Sequence, residues 1–327
     1  MRAAISIVMA VSFLCACAYA QDPSTSSGQG YPVKPIRVVV AFAAGGPSDL
    51  VMRPVAQKLH ELLGQPVVID YRAGANGIIG AELVAKSAPD GYTLLTNTTG
   101  FTINPSAYAK LPFDTLKDFA PISLIASSDI AFIVNPVVPA RSLREFIALA
   151  KTRRGQLTYG SSGNGGSLHL GGELLKLAAN IDMLHVPYKG AAPAMADVVG
   201  GHLDAMFISV PPAIPQVRAG RLRALGTASQ KRAAGLPEVP TFAELGFADF
   251  EVDARYGLVA PAGTPREVIA KLNAAVAKGA QSSDLKERYA VLGLETMSNT
   301  PEQYAEYLRK DIAKWRKVVA ASKLKPL

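Results

Sequence analysis

Cysteine is scarce in this sequence, and both copies lie near its N-terminus: Cys15 and Cys17 are the 2 cysteines among 327 residues. They fall in a stretch typical of a secretory signal peptide, with Arg2, an apolar run shorter than the ~18–20 residues that span a bilayer, and a small-x-small ending at Ala20. We expect export and cleavage after Ala20. The remaining chain would then contain no cysteine, so a disulfide is excluded and the apolar core alone must stabilise it.

A lipoprotein is the alternative interpretation of this leader. Residues 14–17 read LCAC, a passable lipid-attachment sequence that would leave Cys17 as an acylated N-terminus. A cysteine at position 15 is unusual in that motif, which favours cleavage after Ala20. Residues 1–20 are therefore predicted to be a signal peptide, and residues 21–30, rich in Ser, Gly, Pro and Thr, a flexible lead-in. The chain length predicts two domains.

The sequence also lacks concentrated charge of one sign. Its formal net charge of +8 becomes +7 on loss of Arg2, the one charged side chain in residues 1–20. The excess is scattered, without the interleaved aromatic residues of a nucleic-acid-binding surface, so we expect no nucleic-acid partner. A mild positive field would attract anionic solutes, or serve only solubility.

Patterns for catalysis or metal binding are missing as well. Ser162 is not within G-x-S-x-G, residues 160–167 have no P-loop lysine, and residues 74–80 do not form G-x-G-x-x-G. We therefore expect no metal, no cofactor and no catalytic residue, although a secreted hydrolase stays open as an alternative. The 4 histidines are dispersed, with no pair at helical metal-ligand spacing: His60, His169, His185 and His202.

What is present is a glycine-rich junction between a strand and a helix. The apolar run at residues 36–41 breaks at Gly45 and Gly46, and an amphipathic helix pattern starts at once. A helix N-terminus leaves N–H groups unpaired at the positive end of the helix dipole, so a carboxylate or phosphate fits there. In this first glycine turn (residues 43–48) we expect Ser48 as the N-cap, and Pro47 suits a position where an N–H would have no partner.

The chain repeats this device twice. A second glycine turn (residues 72–80, RAGANGIIG) and a third (residues 160–167, GSSGNGGS) each precede a helix pattern. Any single turn could merely let a helix pack closely on a strand, whereas the set favours anion binding. His169 follows the third turn and faces a ligand or is a satisfied core residue. Tyr188 precedes another helix and shapes a pocket or packs inside.

Short apolar runs alternate with helical patterns, which predicts an α/β protein with mainly parallel sheets. In such folds, ligands bind outside the carboxyl ends of the strands. Gly64 is placed to end the first helix. Further strands are expected at residues 66–70, 92–96, 157–160 and 183–188. Capping-box pairs mark helix starts at Ser142 with Glu145, Thr241 with Glu244, Thr264 with Glu267, and Thr300 with Gln303.

Seven segments, in the same order along the chain, resemble those of a known family over essentially all of the mature sequence. This family is the extracytoplasmic solute-binding proteins of the tripartite tricarboxylate transporters, also called Bug receptors. The segments are AFAAGGPSDLVMRPVAQKL (41–59), YRAGANGIIGAELVAKSAPDGYTLL (71–95), INPSAYAKLPFDTLKDFAPISLIA (103–126), YGSSGNGGSLHLGGELLK (159–176), VPYKGAAPAMADVVGGHLDAMF (186–207), LPEVPTFAELGF (236–247) and GLVAPAGTP (257–265).

The resemblance implies a type II periplasmic binding-protein fold, with two α/β lobes joined by crossover strands and the ligand cleft between them. Lobe 1 would comprise residues 31–130 and 255–327, and lobe 2 residues 131–254. It implies a monomeric, non-catalytic periplasmic receptor that captures a small organic carboxylate and delivers it to the membrane permease of a tripartite tricarboxylate transporter. The alternative is a sensory solute-binding protein that presents its ligand-bound form to a membrane signalling partner.

The resemblance also implies which residues bind the ligand, largely through backbone amides of the glycine turns. Family members commonly carry an acidic residue after a Met-Phe pair, whereas here Ile208 and Ser209 follow Met206 and Phe207. An amino-acid ligand is therefore doubtful, and an aliphatic or aromatic carboxylate is favoured. The expected contacts are Ala43, Ala44, Gly45, Pro47, Ser48, Asn76, Gly77 and Thr98 from lobe 1, and Ser161, Ser162, Gly163, Asn164, Gly165, His169, Tyr188, Ala191 and Ser209 from lobe 2.

Overall fold

The fold comes from a computed structural model that describes residues 30–248, 250 and 252–321. The predicted leader, its cleavage after Ala20 and the alternative lipid attachment at Cys17 lie outside these residues. Within the described residues, no helix is both long enough and apolar enough to cross a membrane.

The described chain is an α/β structure in which strands and helices alternate. Its strands are β1 (Ile36–Val40), β2 (Val67–Tyr71), β3 (Thr93–Thr98), β4 (Phe119–Val134), β5 (Thr158–Ser161), β6 (Leu184–Pro187), β7 (Ala205–Ser209), β8 (Arg223–Thr227), β9 (Asp253–Pro261) and β10 (Leu294–Thr296). Its α-helices are α1 (Pro47–Leu63), α2 (Ile78–Ala85), α3 (Thr99–Ala107), α4 (Leu143–Thr152), α5 (Ser167–Ala179), α6 (Ala191–Val199), α7 (Val210–Arg218), α8 (Arg266–Gln281), α9 (Ser283–Leu292) and α10 (Pro301–Ala321).

The strands follow the order β2-β1-β3-β9-β4-β7-β5-β6, with β8 and β10 also paired to β4. Strand β4 is 16 residues long and changes partners along its length. Residues 119–129 pair with β9, and residues 130–134 pair with β7 and β8. The sheet is mixed, so the prediction of mainly parallel sheets is wrong. Every antiparallel pairing described involves β4 or β9, which run opposite to the strands beside them.

The structure confirms most of the predicted strand bounds and helix ends. The four further strands lie within two residues of their predicted bounds, and Gly64 ends α1 in a left-handed conformation with φ of 74°. The Ser142 and Thr300 hydroxyls cap α4 and α10 by accepting the N–H groups of residues 145 and 303. Around a turn, the Glu244 N–H donates to the Thr241 hydroxyl and the Thr241 N–H donates to the Glu244 carboxylate. Thr264 does not cap α8, because its hydroxyl donates to a carbonyl of β9.

Strand order places five helix starts near one another. Helices α1, α3, α5, α6 and α7 follow the carboxyl ends of β1, β3, β5, β6 and β7. Buried apolar residues on the strands fix this arrangement, and in β4 the side chains of Ile130 and Phe132 are 0% exposed. Removing such surface from water is the main stabilising contribution to folding.

Candidate functional site

A cavity opens where these helices begin. Among the described residues that line it, none has a charged side chain; the polar groups are hydroxyls and backbone. The lining comprises Phe42, Gly46, Pro47, Ser48, Thr98, Thr99, Ser162, Ser167, Leu168, Ala191, Ser209, Ala254 and Tyr256.

The cavity collects the N-termini of α1, α3, α5, α6 and α7. Gly46, Thr98 and Ser209 are the N-caps of α1, α3 and α7, while Ser167 and Ala191 are the first residues of α5 and α6. The first N–H groups of a helix have no partner within it, and each helix places partial positive charge at this end. Five such ends around a cavity without charged side chains make a site suited to an anion.

The first glycine turn is fixed from behind by Asp49. This buried carboxylate accepts the Gly45 N–H at 2.7 Å and the Tyr71 hydroxyl at 2.6 Å, and it pairs with Arg53 Nε at 2.7 Å. The Gly45 N–H is therefore directed to Asp49 and not to the cavity. The expectation that Ser48 is the N-cap is wrong, because the N-cap lies two residues earlier, at Gly46, and Pro47 is the first residue of the helix.

The second glycine turn lies beside the main cavity, in a smaller one that shares Phe42 and Thr98 with it. Asn76 and Gly77 line this smaller cavity and both have positive φ, 49° and 86°. The Asn76 side-chain amide donates to Asn104 Oδ1 at 2.8 Å. This bond holds the turn against α3.

The third glycine turn is supported from below by two histidines. The Gly165 N–H donates to His169 Nδ1 at 3.0 Å, and Ser161 Oγ lies 2.6 Å from His185 Nε2. Burial lowers the pKa of His169 and, with the neighbouring positive groups, lowers that of His185 to about 3. Both imidazoles are thus neutral at pH 7, and His169 lies beneath the turn, with only 7% of its surface exposed.

Tyr188 is turned toward its own helix. Its hydroxyl donates to Asp197 Oδ2 of α6, and burial together with this bond raises its pKa to about 12. The neighbouring Ala191 does line the cavity.

Turns from distant parts of the chain meet across the cleft. A Cβ atom placed on Gly166 would lie 2.5 Å from Asn76 Oδ1, and one on Gly163 would lie 3.2 Å from the Asn76 nitrogen. One on Gly190 would lie 3.1 Å from the Ala43 nitrogen. The glycines therefore allow the second and third turns to close on each other.

The predicted contacts divide into three groups in the structure. Those that line the main cavity are Pro47, Ser48, Thr98, Ser162, Ala191 and Ser209. Asn76 and Gly77 line the smaller cavity. Placed on the surrounding turns but outside the described lining of both cavities are Ala43, Ala44, Gly45, Ser161, Gly163, Asn164, Gly165, His169 and Tyr188.

Sequence reasoning missed the residues that β9 contributes. The Tyr256 hydroxyl lies 2.9 Å from Ser209 Oγ, and burial raises the pKa of this phenol, so it stays neutral. Tyr256 pairs with Thr98 in the antiparallel register of β9 and β3. No local signal could have found this pairing. Phe42, Thr99, Ser167 and Leu168 were also missed, although each adjoins a residue or turn that had been predicted.

The chain was compared with known proteins. The family model described as "Tripartite tricarboxylate transporter family receptor" matches residues 51–324. Protein BugT of Bordetella pertussis is 35% identical over 295 residues, which cover 90% of this chain and 90% of BugT.

Two solved structures with bound carboxylates are similar to this one. Rpa4515 of R. palustris, solved with adipate, has a TM-score of 0.88 and 33% identity, covering 91% of this chain and 100% of its own. MatC (Rpa3494) of Rhodopseudomonas palustris, solved with bound malate, has a TM-score of 0.85 and 33% identity, covering 88% of this chain and 100% of its own.

Proposed function

The chain belongs to the receptor family of the tripartite tricarboxylate transporters, and we propose that it delivers a small organic carboxylate to the membrane permease of such a transporter. Like its family, it is a periplasmic solute-binding receptor for carboxylates and not an enzyme. The observation that carries the proposal is the meeting of five helix N-termini around a cavity lined by uncharged side chains.

The lining also indicates what kind of carboxylate fits. Phe42, Leu168 and Ala254 supply apolar surface, while the hydroxyls of Ser209 and Tyr256 face each other at 2.9 Å. An ammonium group on the ligand would find no carboxylate among the described lining residues. Burying such an unpaired charge costs on the order of several kcal/mol. We therefore propose an aliphatic or aromatic acid without an amino group.

The proposal is tested by pairing acids with neutral analogues of the same shape. A thermal-shift panel would compare adipate with adipamide and malate with malamide, and extend to other acids until one shifts the melting temperature. Charge-assisted hydrogen bonds contribute about 1.5 to 3 kcal/mol each, so loss of two should weaken binding by about two orders of magnitude or more. Equal shifts for an acid and its amide, confirmed by calorimetry, would refute the anion site.

We propose that two lobes, residues 31–130 with 255–327 and residues 131–254, enclose the ligand. The change of partners in β4 supports the boundary, because Asp129 pairs with Asp253 whereas Ile130 pairs with Ser209.

We also propose that the exported protein is a monomer that begins at Gln21. Intact mass of the protein from its own periplasm checks the N-terminus. A diacylglyceryl group on Cys17 would contradict the cleavage and place the receptor on a membrane tether.

A further inference from the structure

Two histidines from different elements are stacked beneath the third glycine turn. His169 of α5 and His185 of β6 have ring centroids 3.9 Å apart and planes inclined by 19°. The Tyr159 ring of β5 continues the stack, 4.9 Å from His185. Helix α5 comes this close because residue 172 is glycine, where a Cβ would lie 2.1 Å from the Tyr159 ring.

The turn is attached to both imidazoles. The Gly165 N–H donates to His169 Nδ1, so this nitrogen carries no proton and the neutral ring holds its proton on Nε2. Ser161 Oγ donates to the Gly163 carbonyl at 3.0 Å and accepts the Gly163 N–H at 3.2 Å, so His185 Nε2, 2.6 Å away, carries a proton and donates to this hydroxyl. His169 thus holds Gly165 directly, and His185 holds Gly163 through Ser161.

Burial disfavours an imidazolium at His169, and the neighbouring Glu173 offsets this effect only in part. Helix α5 supplies Glu173 and Lys176, β5 supplies Tyr159, and Asp182 precedes β6. Glu173 Oε1 already accepts the Tyr159 hydroxyl at 2.6 Å and lies 3.0 Å from Lys176 Nζ, while His169 Nε2 is 3.9 Å away. Asp182 lies 3.8 Å from Lys176. A second cation 3.9 Å from the first would be repelled in this poorly solvated stack.

We propose that His169 and His185 are positioning residues that hold the third glycine turn, and that protonation of His169 releases the turn in acid. Protonation of His169 Nδ1 replaces the acceptor of the Gly165 N–H with a second donor. The turn then loses its attachment at Gly165. The inference rests on the proposed function only in treating this turn as part of a ligand site, because the attachment itself can be measured without ligand.

The first measurement uses the whole mature protein without ligand. Imidazole ¹⁵N spectra at pH 7 should show His169 as the Nε2–H tautomer and both buried rings as neutral. Amide exchange of residues 160–168, corrected for the intrinsic effect of pH, should accelerate about tenfold between pH 7 and pH 4.5, of the order expected for one lost hydrogen bond. A protonated His169 Nδ1 at pH 7 would overturn the proposal.

Conservative variants separate positioning from mere packing. In H169N the amide oxygen replaces Nδ1 as the acceptor, and in H185Q the amide N–H replaces the Nε2–H donor. The double variant should therefore protect the turn at pH 7 and keep that protection at pH 4.5. H169L should lose the protection at both pH values. The matched control is H60Q, at an exposed histidine, which should behave as the unchanged protein.

The outcomes distinguish the two proposals. If the double variant loses protection in acid as the unchanged protein does, the histidines do not control the turn. If H169L fails to fold, the tautomer and the double variant still decide. Failure of every carboxylate to bind would refute the proposed function and leave the exchange result intact.

Discussion

Replacing Gly166 by alanine should weaken ligand binding without destabilising the free protein. Gly166 has φ of −81° and ψ of 169°, a conformation open to alanine, so the substitution introduces no backbone strain. Its Cβ would lie 2.5 Å from Asn76 Oδ1. The collision is therefore confined to the contact between the second and third glycine turns.

The magnitude follows from the cost of overpacking, about 1 to 3 kcal/mol for an inserted methyl group in a well-packed contact. If the turns separate in the free protein, the collision disappears there and remains only in the closed, ligand-bound form. The dissociation constant should then rise about 5- to 150-fold, since about 1.4 kcal/mol corresponds to tenfold. The free energy of unfolding without ligand should change by less than about 0.5 kcal/mol.

Calorimetry with the acid found in the thermal-shift panel measures the first quantity, and urea unfolding measures the second. Gly200→Ala is the matched control and should leave the affinity unchanged: its φ of −74° is equally permissive, it lies outside the described lining of both cavities, and its Cβ would lie 3.1 Å from the exposed His202 side chain. Adding Asn76→Gly to Gly166→Ala removes the amide and should restore part of the affinity. Unchanged affinity, or an equal loss of unfolding free energy, would refute closure of the two turns on the ligand.

Three further outcomes are expected. Gly77→Val should abolish binding and leave a folded protein by circular dichroism, because φ is 86° at this position; full affinity would make the second turn a packing feature. Tyr108→Phe removes a 2.8 Å bond to the Asn164 carbonyl across the cleft and should raise the ligand off-rate about two- to tenfold in stopped flow; an unchanged rate would contradict this role. Burial lowers the pKa of both His169 and His185, so each contributes stability that is full above pH 6.5 and is lost as pH falls. Between pH 7 and pH 4.5, urea unfolding should show a loss of roughly 3 kcal/mol that is absent in H185Q, and a loss in the same direction that is absent in H169N; identical pH dependence in the variants would refute this.

The glycine turns could be predicted because their physics is local. A strand that ends in glycines before a helix pattern indicates unusual backbone angles and free N–H groups, and Gly45, Gly77, Gly163 and Gly165 all have positive φ. The anion-binding character of the site follows from these turns alone. The same local reasoning misplaced the N-cap of α1, since the bond that the Gly45 N–H donates to the Asp49 carboxylate accompanies a helix whose N-cap is Gly46.

The direction of long polar side chains was not predictable in this way. Tyr188 lies in the turn before α6, yet its hydroxyl donates to the carboxylate of Asp197 in that helix. His169 follows a ligand turn, yet its ring stacks on His185 from another strand. In each case a partner brought close by the fold competes with the ligand for the polar group, and a buried polar group takes the partner that is always present.

The features that attract an anion therefore come from short local segments, whereas the features that would select the shape of the ligand come from residues far apart in the sequence. Helix N-termini that attract an anion arise from short segments, each complete in itself. Under the proposed function, the carbon skeleton of the acid would meet Phe42, Leu168, Ser209 and Tyr256, and Tyr256 reaches the cavity through the antiparallel pairing of β9 with β3 and β4. We therefore expect substitutions in β9 to alter which acid is selected and to leave the helix N-termini proposed to bind its carboxylate unchanged.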